Sequence, residues 1–147
     1  RRGPYTASIQ SRGMTLVEVL AVLVILGLLA ATLAVGFSGA LGKGKRELAK
    51  TGIAQIIGKL EIYRLEHGAW PATTLGLAAL SDGQASPASP YYLPPDGILD
   101  PWGNAYVIIV PGPGEHPYEV LSYGADSAPG GEGENADVTS LALRGGS

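Results

Sequence analysis

From Val19 to Phe37 the chain carries no charged residue. At helical rise this run covers about 28 Å, close to the roughly 30 Å hydrocarbon core of a bilayer. It commits the first part of the chain to a membrane and leaves residues 43 to 147 to build a modest water-soluble core. From the residues alone the run is a single-pass anchor or an uncleaved secretory signal. Secretory apolar segments are usually shorter, but the small residues of "TLAVGFSGALG" leave an ordinary cleavage site there open. Arg1, Arg2 and Arg12 precede the run, and Lys43, Lys45, Arg46 and Lys50 follow it, so charge does not decide its orientation. The first residue is Arg rather than Met, so a native start upstream of Arg1 stays open.

Composition removes several classes of function. A net charge of −3 gives no support to nucleic-acid binding. With no cysteine, the chain has neither a disulfide framework nor a thiolate metal site. The two histidines, His67 and His116, lie far apart, which argues against a catalytic zinc site. "GKGKRE" lacks the spacing of a phosphate-binding loop, and no nucleophile-and-base arrangement is visible. The chain reads as a non-enzyme.

Glu18 stands at the edge of the apolar run. A carboxylate near lipid costs a few kcal/mol and is usually paired or functional, although at headgroup level the cost is small. The stretch "RGMTLVEVLAVLVILGLLA" resembles the signal of type IV pilins and pseudopilins. The resemblance implies that a prepilin peptidase cuts after Gly13 on the cytoplasmic side, that Met14 becomes the methylated N-terminus, and that Glu18 is the fifth mature residue. It also implies a role for Glu18: pairing with the free amine of a neighbouring subunit in a helical homopolymer. An unpaired charge in a packed apolar bundle is penalised and a paired one compensated. Two features depart from the family. Met replaces the commoner Phe at the first mature position, and Val35 stands where many relatives have proline. Gly36, Gly39, Gly42 and Gly44 lie nearby, each lowering helix propensity by about 1 kcal/mol relative to alanine.

Beyond the basic patch, Ile53, Ile56, Ile57, Leu60 and Tyr63 or Arg64 follow helical spacing, with Glu47, Lys50, Lys59, Glu61 and Glu66 facing elsewhere. Gly68 and Pro71 end that helix. A second short helix is predicted over 73–80, capped by Thr73 or Thr74. Residues 81–101, with their prolines, read as loop. Strands are predicted over 105–110 and 118–123, joined by "PGPGEHP" as a hairpin. "DPWG" reads as a turn whose tryptophan plugs the core.

The blocks "EIYRLEHGAWPATTLGLAAL", "LDPWGNAY" and "YEVLSYGADSAPGGEGENADV" resemble the major pseudopilins of type II secretion systems. The implied fold is α+β and pilin-like: a long N-terminal helix, membrane-spanning in its first half, on a small antiparallel sheet. The implied organisation is a cytoplasmic leader (1–13), a membrane and assembly helix (14–42) and a periplasmic domain (43–147), anchored once in the bacterial inner membrane. The implied partners are further copies of the chain, minor pseudopilins, an inner-membrane assembly platform, the prepilin peptidase and membrane lipid. A type IV pilus subunit is the near alternative. Many of those close their C-terminal region with a disulfide, which this chain lacks. A membrane-anchored periplasmic enzyme or binding module is a more distant one.

Between Asp126 and Asp137 lie Glu132, Glu134 and Asn135 among three glycines and a proline. From the residues alone this is a solvated acidic turn, and its spacing is not that of an EF-hand. Oxygen donors on a flexible loop also suit Ca²⁺. The resemblance implies a bound calcium ion here, held by the side chains of Asp126 and Asp137, the carbonyls of Tyr123 and Ala128, and Asn135. Glu132 and Glu134 are weaker candidates.

Overall fold

The computed structural model describes residue 3 and residues 13–145. The expected leader therefore lies outside the described residues, apart from Gly3 and Gly13. The chain divides into two compact units, with the boundary between Ser38 and Gly39.

Helix α1 runs from Leu16 to His67 and contributes to both units. It starts with a reciprocal cap. Thr15 Oγ1 accepts from the Glu18 amide at 3.3 Å, and Glu18 Oε2 accepts from the Thr15 amide at 3.1 Å. Two otherwise orphaned amides are satisfied in this way. The apolar stretch that follows reaches a mean hydropathy of 2.8 over 18 residues, and none of it is buried within the chain. By length and composition it can cross a membrane. The helix continues through Gly36, Gly39, Gly42 and Gly44 without a break. It ends where expected: Gly68 takes φ +76° and its amide bonds Arg64 O at 2.7 Å, a left-handed cap that glycine adopts at no steric cost.

In the second unit, the expected stripe on α1 is the core. Ala49, Ile53, Ile56 and Leu60 are fully buried. They form one hydrophobic cluster with Leu80, Tyr106, Ile108, Tyr118, Val120 and Val138. Strands β1 (Val107–Ile109), β2 (Glu119–Ser122) and β3 (Val138–Thr139) form an antiparallel sheet in that order. Val107 faces Leu121 in one ladder, and Leu121 faces Thr139 in the other. The long helix and small antiparallel sheet match the expected α+β, pilin-like class.

Two local expectations need correction. Residues 73–80 do not form a capped α-helix. Only Gly76–Leu80 is helical, as a 3₁₀ turn without a side-chain cap. Gly76 at φ +56° breaks the α-helical path, and the Thr73 hydroxyl donates to Val110 O at 2.9 Å. The strands are shorter than predicted, and β3 and a short helix α2 (Ser140–Arg144) were not anticipated. Glu61 is off the buried stripe and exposed, as expected; its Oε1 accepts from the Tyr118 hydroxyl at 3.3 Å, and that hydroxyl in turn accepts from Arg144 Nη2 at 3.0 Å.

Candidate functional site

The acidic loop, residues 123–137, leaves the end of β2 and returns into β3. Its root is held by a buried polar network. Ser122 Oγ donates to Asp100 Oδ2 at 2.6 Å. Asp100 Oδ1 accepts from the amides of Trp102 and Asn104, at 3.0 and 2.9 Å. Asn104 Nδ2 donates to Gly124 O, and the Gly124 amide donates to Ser122 Oγ. The "DPWG" turn is thus the bracket that fixes where the loop begins, besides packing Trp102 against the hydrophobic cluster. Sequence reasoning missed Asp100, Asn104 and Ser122. An acidic residue opening a tight turn was the available signal, because Asp readily bonds amides two residues on.

Inside the loop two arms come together. The Ala125 amide donates to Glu134 O at 2.9 Å. A methyl group added at Gly124 would sit 2.6 Å from Glu134 O, and one at Gly131 would sit 2.6 Å from Asn135 O. Both glycines have positive φ, +70° and +80°, so only glycine permits this approach. Asp126, on the first arm, accepts from the Ala128 amide at 3.1 Å. Ser127 beside it takes φ 55°. Asn135 closes a 3₁₀ turn, Gly133–Asn135, on the second arm. Asp137 Oδ2 accepts from the Gly130 amide at 3.0 Å, but its Oδ1 is buried with no hydrogen-bond partner in the protein.

That oxygen tests the fit of a cation. A buried acceptor without a donor carries a desolvation cost, and a positive ion beside it removes that cost. Among the described residues no group of three or more His, Cys, Asp or Glu side chains could hold a metal. Any ion here would therefore combine the two aspartates with amide and carbonyl oxygens, a donor set that suits Ca²⁺ rather than zinc. The unpartnered Asp137 Oδ1 is the observation that favours such an ion. Glu132 precedes the 3₁₀ turn, and the Glu134 side chain lies against Gly42 of α1.

At the other candidate site, Gly13 and Met14 precede α1 and are exposed. Glu18 is exposed too, and within the single chain its carboxylate serves the helix cap. His67 ends α1, stacked on Tyr63 with ring centroids 4.1 Å apart, and His116 lies in the exposed turn between β1 and β2. Burial first, and Asp100 second, push the Tyr106 phenol up to about 12.

Comparisons with known proteins identify the family. Residues 10–34 match the prokaryotic N-terminal methylation motif. Residues 37–141 match the family described as type II secretion system protein G. The type II secretion system core protein G of Pseudomonas aeruginosa is 37% identical over 134 residues, covering 88% of this chain and 94% of that protein. That of Escherichia coli K12 is 33% identical over 143 residues, covering 93% and 95%. The crystal structure of the major pseudopilin from the type 2 secretion system of enterohaemorrhagic Escherichia coli is similar with TM-score 0.54 and 27% identity. It covers 72% of this chain and 94% of that one. Fold, methylation motif and apolar helix define a membrane-anchored envelope protein of the pilin-like class. Within that class, the chain belongs to the type II secretion system protein G family.

Proposed function

We propose that this chain is the major structural subunit of a type II secretion pseudopilus and has no catalytic role. Residues 1–13 are a cytoplasmic leader that prepilin peptidase removes between Gly13 and Met14, after which Met14 is methylated. Residues 14–42 anchor the subunit in the inner membrane and later pack with other copies in a helical homopolymer. Residues 43–147 lie in the periplasm. Growth of the filament on an inner-membrane platform, with minor pseudopilins, drives folded periplasmic proteins across the outer membrane. The observation that carries the reading is the apolar stretch of α1, none of which is buried within its own chain. It can be covered only by lipid or by other helices. The match to protein G supports the same reading.

In the polymer, Glu18 exchanges its cap for the methylated amine of a neighbouring Met14. Both partners sit at the start of the mature chain, where the capping geometry already fixes the carboxylate. In the loop, Asp126, Asp137, Asn135 and the carbonyls of Tyr123 and Ala128 hold a calcium ion. When bound, the ion supplies the positive charge that Asp137 Oδ1 lacks. The test is export of exoproteins by a strain in which the chromosomal gene is deleted and restored on a plasmid. Loss on deletion and recovery on restoration are expected, and normal export without the gene overturns the proposal.

A further inference from the structure

Arg46 has no acidic partner among the ion pairs of the described residues. Instead its Nη1 donates to the carbonyl of Gly133 at 2.8 Å, across a sequence separation of 87 residues. One turn earlier on α1, Gly42 is buried, and a methyl group added there would lie 2.6 Å from Glu134 Cγ and 2.8 Å from its Oε1. The two contacts clasp the 3₁₀ turn Gly133–Asn135 to the helix. That turn carries Asn135 and leads directly to Asp137. On its other side it is tied to the first arm through the Ala125 amide and Glu134 O. The separation between the Asp126 arm and the Asp137 arm therefore depends on where α1 holds the turn.

We propose that Arg46 is a positioning residue for the cation-binding loop, so that calcium binding and the order of α1 around Gly42–Lys50 are coupled. The inference rests on the calcium reading given above. Its sign separates it from a simple charge effect. A guanidinium near a bound cation repels it, so if Arg46 acted only through charge, removing it would tighten calcium. If it acts by holding Gly133 O, removing it loosens the turn and weakens calcium. Alanine is the best helix former, so the substitution does not itself weaken α1.

The test uses the full chain in detergent micelles, titrated with CaCl₂ by calorimetry. Hydrogen exchange is followed over residues 40–50 in calcium and in chelator. In the wild type, calcium slows exchange in that segment. Arg46→Ala weakens the calcium Kd by about tenfold, equivalent to about 1.4 kcal/mol, and abolishes the change in exchange. Arg46→Lys keeps the charge and one donor and recovers most of both. Lys50→Ala, whose partner is Glu47, stays within about twofold of the wild-type Kd, as expected for an exposed ion pair. An Arg46→Ala chain that binds calcium as tightly as the wild type, or more tightly, overturns the inference and leaves the calcium reading intact. A wild-type chain that binds no calcium overturns both.

Discussion

Position 52 of α1 has no room for a side chain. A methyl group there would come within 2.9 Å of Tyr106 Cζ and closer still to its hydroxyl, which donates to Ala49 O at 3.2 Å. In the sequence Gly52 is one helical residue among others, because the strand-side tyrosine that lies over it is far away in the chain. Gly52→Ala should destabilise the second unit by about 1–3 kcal/mol despite its better helix propensity, because overpacking outweighs the gain; urea unfolding measures this. Tyr106 also makes stability depend on alkaline pH. Its folded pKa of about 12 lies above the unfolded value of 10.0. Between these values the unfolded chain releases a proton that the folded chain keeps, so stability is full below pH 10 and falls as pH rises through 12. Melting temperature followed from pH 8 to 12 should show that loss, and Tyr106→Phe should flatten it. Glu18 has a different consequence. It lies in the first unit, so Glu18→Ala should leave the melting of the second unit unchanged while filaments in cells are lost. Normal filaments from the alanine variant would reduce Glu18 to the helix cap seen in the single chain.

Among the elements, α1 was the most legible. The spacing of Ile53, Ile56 and Leu60 marks one helical face, and that face is the core. Gly68 marks its end for a backbone reason that the sequence shows directly. The C-terminal elements were not legible. Strand β3 has two residues and α2 has five, too few to show either period. What fixes them is tertiary: Ser140 is fully buried, and its Oγ accepts from the Val120 amide at 3.0 Å. A lone serine before a short apolar stretch gives no hint of that partner. Ser140→Ala strands a buried amide and should cost about 1–3 kcal/mol in denaturant unfolding. Ser140→Thr keeps the hydroxyl and should recover part of that loss. Equal stability of the alanine and wild-type chains would mean that α2 does not brace the sheet.

For the molecule as a whole, the sequence suggested the donors of the acidic loop but not the machinery around them. The carboxylates and glycines are contiguous and visible. The Asp100–Ser122 bracket and the Arg46 clasp join segments distant in the chain, and only folding brings them together. The loop offers little apolar burial to offset the entropy of ordering it, and Asp137 Oδ1 is buried without a donor. A chain beginning at Gly39, the start of the second compact unit, should therefore melt higher in calcium than in chelator. Binding to the native state alone adds about 2.7 kcal/mol at a hundredfold excess over Kd, which for a domain of this size corresponds to roughly 10 °C or more. Asp137→Ala should remove most of the difference, and from a specific side. In chelator it should be nearly neutral, because losing the Gly130 contact is balanced by deleting an unpaired buried oxygen. In calcium it should melt well below the wild type. Asp126→Ala should also lose most of the calcium response. Glu132→Ala, whose side chain is outside the proposed donor set, should keep most of it. Calorimetry of the four chains in millimolar calcium and in chelator separates these outcomes. Superimposable wild-type curves in the two conditions would return the loop to a solvated acidic turn, held by Gly124, Gly131 and the Asp100 network alone.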